Sequence, residues 1–236
     1  MFHTIFYEPV LNLLVFLYNN VPGHDIGIAI VLLTIVIKLI LWPLSGKALK
    51  SQKAMQTLQP KMEEIKAKFK DNKEAMSKAM MELYKVEKIN PFSSCLPLLI
   101  QLPFFWAVFQ VFRNELVNEH LESIYSFVSN PGTLNPVAFG LINLSEPNIA
   151  LALLAGAAQF GQAKLMPKTK PTQGKEGNMM SIMGKQMMYF MPILTIFICM
   201  SLPSGLALYW FLTTLLTIFQ QMYMFKKNDK EVVESA

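Results

Sequence analysis

The sequence predicts an all-α polytopic membrane protein with five transmembrane helices, an N-terminal interfacial helix and a cytoplasmic helical hairpin. Hydrophobic residues make up 53% of the 236 residues, and the mean hydropathy is +0.34. These values, with the charges confined to separate blocks, are typical of a membrane protein. The net charge of +5 comes from lysines beside apolar segments, so it indicates membrane topology rather than nucleic-acid binding.

The N-terminal region, residues 1–25, is predicted to be an amphipathic helix that lies in the membrane interface outside the cell. Its apolar residues share one helical face, but Glu8 and Pro9 interrupt the hydrophobic run and argue against a span. The first span follows at 26–46. It is long enough to cross a bilayer, and its one charged residue is Lys38.

The polar segment 47–90 is predicted to be a helical hairpin in the cytoplasm. Its first half carries an apolar stripe at helical spacing, formed by Met55, Leu58, Met62, Ile65 and Phe69. Pro60 predicts a bend or a fresh helix start, and Asp71-Asn72 separates the two helices. The methionine-rich faces suit either varied partners or ordinary helix packing, and both interpretations remain open.

Four further spans complete the predicted bundle, at 91–113, 148–166, 186–202 and 206–225. They are joined by an extracytoplasmic loop at 114–147, a cytoplasmic linker at 167–185 and a tight turn at 203–205, and a cytoplasmic tail follows at 226–236. The third span is rich in small residues, which let helices approach closely in lipid. Cys95 and Cys199 both fall inside spans without metal-ligand spacing, so neither a disulfide nor a metal site is expected.

The distribution of basic residues predicts the orientation. Segments 47–90, 164–186 and 226–236 hold 19 of the 21 Lys and Arg residues. Segments 1–25 and 114–147 hold no Lys or Arg but several acidic residues. Because positive charge favours the cytoplasmic side, the N-terminus is predicted outside and the C-terminus inside.

Lys38 is the residue that calls for a functional interpretation, because a charge inside a span costs free energy unless it is sheltered. One interpretation is that its ammonium extends toward the interface along the apolar stem. The other is that it faces a wet cavity within the bundle. Polar residues of other spans favour the cavity, together with Thr34 on the same face: Gln101, Gln110, Gln159, Gln162, Tyr209 and Trp210.

Four segments resemble the YidC-type membrane protein insertases, bacterial relatives of the mitochondrial and chloroplast insertases. They read IVIKLILWPL, SQKAMQTLQPKMEEIKAKF, MELYKVEKINPFSSCLPLLIQLPFF and MPILTIFICMSLPSGLALYW. The resemblance covers roughly residues 26–225. One departure is Leu202, where the last pattern usually has Phe.

This resemblance implies five spans around a hydrophilic groove that is open to cytoplasm and lipid and closed toward the outside. It implies that Lys38 matches a groove residue that is usually Arg, and that Thr34, Gln162 and Trp210 match polar groove positions. Gln101 and Tyr209 are two further candidate groove residues. They are inferred from their polar side chains within the spans and not from the resemblance. Arg stays charged in almost any environment, whereas the charge of a Lys depends on how wet the groove is.

The function implied by the resemblance is that of an insertase and chaperone for new membrane proteins, working without nucleotide hydrolysis in the bacterial inner membrane. Nascent membrane proteins and the lipid bilayer are its expected partners, and contact with the ribosome and the Sec translocon stays open. No catalytic residues, metal, cofactor or direct nucleic-acid recognition are expected, and the protein is expected to be a monomer. The alternative is a small solute transporter or channel, although the sequence lacks the internal repeats usual in transporters.

Overall fold

The computed structural model describes residues 1–70, 72–90, 96–116, 121, 123–165 and 175–234. This part of the chain is mostly helical, as predicted. The α-helices are α1 (Glu8–Asn20), α2 (Ile26–Thr57), α3 (Gln59–Lys68), α4 (Lys73–Val86), α5 (Leu96–Val111), α6 (Ile149–Leu165), α7 (Lys175–Met200) and α8 (Ser204–Glu234). A short antiparallel hairpin, β1 (Val137–Ala138) with β2 (Ile142–Asn143), interrupts the helical pattern.

Helix α1 packs into the core of the structure. Leu11, Leu14 and Val15 are fully buried, and the helix contacts both α2 and α5. Asn12 is also buried, and its side chain donates to the Ser123 carbonyl and accepts from the backbone N–H of Tyr125. The N-terminal helix therefore holds the segment that follows α5 in place.

Helix α2 runs without a break through Pro43 and continues to Thr57, beyond the predicted span 26–46. Among the described residues, Ile26–Met55 is the helix with the length and apolar composition to cross a membrane. Helix α6 and the segment Met188–Met200 are apolar but shorter. The number of five spans therefore remains a prediction.

The segment after α2 forms two short helices, α3 and α4. The helix restarts at Gln59 with Pro60 in its first turn, where the missing N–H of proline costs nothing. Leu58 and Met62 are buried, and the Tyr84 hydroxyl of α4 contacts the Met62 sulfur of α3. Asn72 caps α4 by accepting from the backbone N–H of Ala75. Asp71, which was expected to contribute to the break, lies outside the described residues.

Helices α6, α7 and α8 pack against one another, and α8 also packs against α2. The approach of α6 to α7 is close: a Cβ at Gly156 would overlap Ile196 and lie 3.2 Å from the carbonyl oxygen of Pro192. Helix α7 begins at Lys175, so the prediction of a linker as far as residue 185 was wrong for its second half. No proline occurs between 171 and 192 to stop the helix from extending past its apolar segment.

The described part of segment 114–147 is more ordered than a simple surface loop. Its buried apolar residues pack against the core: Leu116, Val128, Leu134, Ala138 and Leu144. The backbone N–H groups of Ser204 and Gly205 donate to the carbonyls of Glu146 and Leu144. The segment thus covers the N-terminal end of α8, and its β-hairpin corrects the all-α prediction at this one place.

Candidate polar site on helix α8

Helix α8 carries a stripe of polar residues at four-residue spacing, formed by Tyr209, Thr213, Thr217 and Gln221. Residues spaced by four lie on one face of a helix. Three of these side chains are buried, and Thr217 is half-buried. The stripe therefore faces neighbouring helices, with Tyr209 in contact with α5 and Thr217 in contact with α2.

Lys38 of α2 reaches this stripe directly. Its Nζ donates to the Thr217 hydroxyl at 2.7 Å, and the Thr217 hydroxyl donates at 2.7 Å to the Thr213 carbonyl. The Lys38 side chain is half-buried. The ammonium is thus held against α8, a contact that supports the bundle-facing interpretation over extension along the apolar stem toward the interface.

Thr34, one turn before Lys38, contributes differently from the prediction. Its side chain is fully buried, and its hydroxyl donates at 2.7 Å to the carbonyl of Ile30 in the same helix. That hydrogen bond satisfies the hydroxyl within α2. Thr34 is therefore packed in the helix bundle next to the site, and its hydroxyl bonds to Ile30 rather than to Lys38.

Tyr209 and Trp210 connect α8 to two other helices. The Gln101 amide of α5 donates to the Tyr209 hydroxyl at 2.7 Å. The Trp210 indole N–H donates to Gln159 of α6 at 2.9 Å, and the Phe105 ring of α5 packs edge-on against the indole. Polar residues predicted from three separate spans therefore meet on one helix.

The polar contacts occupy two levels along α8. Thr217 follows Trp210 by seven residues, which is about 10 Å along a helix. The level nearer the N-terminus of α8 holds Tyr209 and Trp210 with their amide partners, Gln101 and Gln159. The level nearer the C-terminus holds the Lys38 ammonium. Gln162 lies one turn beyond Gln159 on α6, is half-buried, and has no hydrogen-bond partner among the described residues.

Sequence reasoning missed the residues that join these levels. Thr213, Thr217 and Gln221 are ordinary residues in an apolar span when each is considered alone. Their spacing by four from Tyr209 was the available signal. The Gln221 carbonyl oxygen is buried without a hydrogen-bond partner in the described part of the chain, so the stripe retains an unused hydrogen-bond acceptor.

The described residues contain no group of three side chains that could hold a metal ion. Cys199 is buried and not in a disulfide, while Cys95 lies outside the described residues. The site therefore consists of one ammonium, hydroxyls, amides and an indole inside an apolar helix bundle. Such a set can bind polar or acidic groups by charge and hydrogen bonds.

The fold and the site define a helical membrane protein with a sheltered positive charge. The family model described as 60Kd inner membrane protein matches residues 16–231. The chain belongs to this family, which confirms the resemblance found in the sequence.

Relatives cover most of this chain. Membrane protein insertase YidC of Pelobacter propionicus is 38% identical over 225 residues, which is 94% of this chain and 39% of the relative. Proteins of the same name from Geobacter sp. and Nitratidesulfovibrio vulgaris are each 36% identical, over 93% and 95% of this chain and 36% and 39% of the relative. The chain thus spans well under half the length of these relatives.

Proposed function

We propose that this protein is an insertase that moves newly made membrane proteins into the bilayer without hydrolysing a nucleotide. The observation that carries the proposal is the Lys38 ammonium, held by Thr217 against the polar stripe of α8 within apolar helices. A charge in this place needs a role that repays its desolvation. The names of the relatives agree with the proposal.

In the proposed mechanism, the polar tail or loop of a substrate enters a groove lined by Lys38, Gln101, Gln162, Tyr209 and Trp210. An ammonium has three donors, and Thr217 takes one of them. The others remain for the carboxylates of an acidic tail. Water in the groove then hydrates the tail, and the polar side chains of the groove form hydrogen bonds with it. This shortens the apolar distance that the tail must cross.

The free energy for insertion comes from the substrate itself. Once the polar tail has passed, the hydrophobic span of the substrate leaves the groove and enters lipid. Burial of apolar surface is worth roughly 25 cal/mol per Å², so a whole span supplies enough driving force without ATP. This is why the proposed activity needs no cofactor and no catalytic residue.

The proposed partners follow from the same site. The hairpin α3–α4, in which Met62 of α3 contacts Tyr84 of α4, is proposed to meet nascent membrane proteins in the cytoplasm. The bilayer receives them, and the protein is proposed to act as a monomer in a bacterial inner membrane. Contact with the ribosome and the Sec translocon remains an open extension of this proposal.

The proposed topology has five spans, the N-terminus outside and the C-terminus in the cytoplasm. Single cysteines at Ser129 and Thr172, with Cys95 and Cys199 replaced, test it in intact cells. We expect a membrane-impermeant thiol reagent to label the Ser129 site and to leave the Thr172 site unlabelled, because lysines concentrate in 164–186 and not in 114–147. Thr172 itself lies outside the described residues.

Reversed labelling would overturn this topology. It would also overturn the groove, since Lys38 could then not meet a chain arriving from the cytoplasm.

The rival function is a small solute transporter or channel, and one reconstitution separates the two. The purified protein is placed in vesicles without ATP, and two readouts are taken from the same preparation. We expect a short single-span substrate to become protected from protease inside these vesicles, with no increase in the flux of entrapped solutes. Solute flux without substrate integration would instead establish the rival.

A further inference from the structure

The β1–β2 hairpin carries exposed apolar side chains. Leu141 at its turn is 87% exposed, and Val137 and Phe139 are also exposed. We call these three residues the apolar rim. Exposed apolar patches on an ordered surface indicate contact with a partner or a membrane.

The turn of this hairpin keeps an aromatic residue in an unfavourable backbone conformation. Phe139 and Gly140 have φ angles of 53° and 67°, and Leu141 N–H donates to the Ala138 carbonyl. Two successive positive φ angles are typical of a type I′ turn, in which Asn-Gly is the favoured pair. A phenylalanine in the left-handed region is uncommon, and such a cost indicates a functional reason for the side chain.

The hairpin is fixed to the beginning of α2. One carboxylate oxygen of Asp25 accepts from Ile28 N–H and caps the helix, while the other accepts from Phe139 N–H at 2.5 Å. A Cβ at Gly27 would come within 2.7 Å of both Ala138 and the Phe139 ring. The turn is therefore fixed beside the first residues of α2.

Other helices of the bundle begin beside the same segment. The long apolar helix starts at Ile26, and α6 starts at Ile149. The end of the segment also covers the start of α8, through the carbonyls of Leu144 and Glu146. Three helix N-termini and the hairpin thus lie at one end of the bundle, and helices that span a bilayer end where the polar headgroups of lipids meet the acyl chains.

We propose that the apolar rim inserts into the lipid interface at this end of the bundle. The occupant is lipid rather than an anionic partner, because the rim is apolar and segment 114–147 contains no Lys or Arg to attract anionic groups. Apolar and aromatic side chains at this depth are stabilised at the boundary of headgroups and acyl chains. The anchor sets the height of α2, and it does not depend on the proposed groove.

The test uses the full chain, one copy per phosphatidylcholine nanodisc, with Cys95 and Cys199 replaced by alanine. An environment-sensitive fluorophore is attached at Leu141→Cys, or at Thr133→Cys in the polar turn 129–133 as the matched control. Brominated lipids quench fluorophores that lie near the acyl chains. We expect about threefold stronger quenching at position 141 than at 133, unchanged when anionic lipid is added.

A second variant separates the anchor from folding of the hairpin. Phe139→Asn creates the Asn-Gly pair that the turn favours, so the hairpin remains formed while its aromatic contact is lost. We expect quenching at position 141 to fall in this variant.

Equal quenching at positions 141 and 133 would overturn the proposal. Shielding of the position 141 fluorophore from water only when two copies share a nanodisc would also overturn it, because the rim would then contact a second copy and not lipid. A failed insertion assay would leave the quenching result unchanged, so the two proposals fail separately.

Discussion

Replacing Lys38 by alanine is expected to lower the insertion of substrates with acidic N-terminal tails by about tenfold, which corresponds to ~1.4 kcal/mol. Two opposite charges 4 Å apart attract by about 1 kcal/mol in water and about 4 kcal/mol near a protein surface. A wet groove lies between these limits. Insertion of substrates with neutral tails is expected to fall much less. The measurement is protease protection of matched acidic and neutral substrates in reconstituted vesicles.

Two variants control this result. Lys38→Arg keeps the positive charge and should retain activity. Thr217→Val keeps the shape of the side chain but removes the acceptor of the Lys38 ammonium, so a smaller loss is expected, again mainly for acidic tails. Equal losses for acidic and neutral tails in Lys38→Ala would contradict the electrostatic role. Full activity of Lys38→Ala would instead favour the interpretation that the Lys38 ammonium only extends toward the membrane interface.

The largest effect on stability is expected from Gly156→Val. The Cβ alone would overlap Ile196 and come within 3.2 Å of the Pro192 carbonyl oxygen, and valine adds two further methyl groups. Overpacking of a close interface costs about 1–3 kcal/mol. We expect a lower thermal unfolding midpoint of the purified protein, because α6 and α7 can no longer approach each other.

Gly161→Ala is the matched control on the same helix. Its Cβ would meet Ile218 Cδ1 at 3.8 Å, an ordinary contact, and alanine favours the helix over glycine. We therefore expect an unchanged or higher midpoint for Gly161→Ala. A Gly156→Val protein as stable as the original would show that α6 and α7 do not pack as closely as the structure has them.

Part of the candidate site could be predicted because polar residues stand out in apolar spans. Lys38, Gln101, Tyr209 and Trp210 were recognised in this way, and the structure brings them to one helix. Their pairing could not be predicted, because it depends on which faces of α2, α5 and α8 meet. Thr217 was missed for the same reason: a threonine in a span has no evident role until a partner reaches it.

The fold shows a similar division. Continuous apolar runs and the stripe of the hairpin α3–α4 indicated helices, since helical periodicity is a local signal. The β1–β2 hairpin was missed because its strands have two residues each, which is too short for an alternating pattern to show. The start of α7 was also missed, because residues 175–185, with their Lys, Gly and Asn, resembled a linker in composition although they contain no proline.

The most direct test of the central claim is photo-crosslinking to a stalled nascent membrane protein. A photoreactive amino acid is placed at Trp210 or Gln162, or at Phe219 as a control, which is 64% exposed on the same helix. We predict adducts with the polar tail of the substrate from positions 210 and 162, and none from 219. Adducts from 219 alone, while the substrate still inserts, would contradict a polar path along α8 and with it the proposed groove.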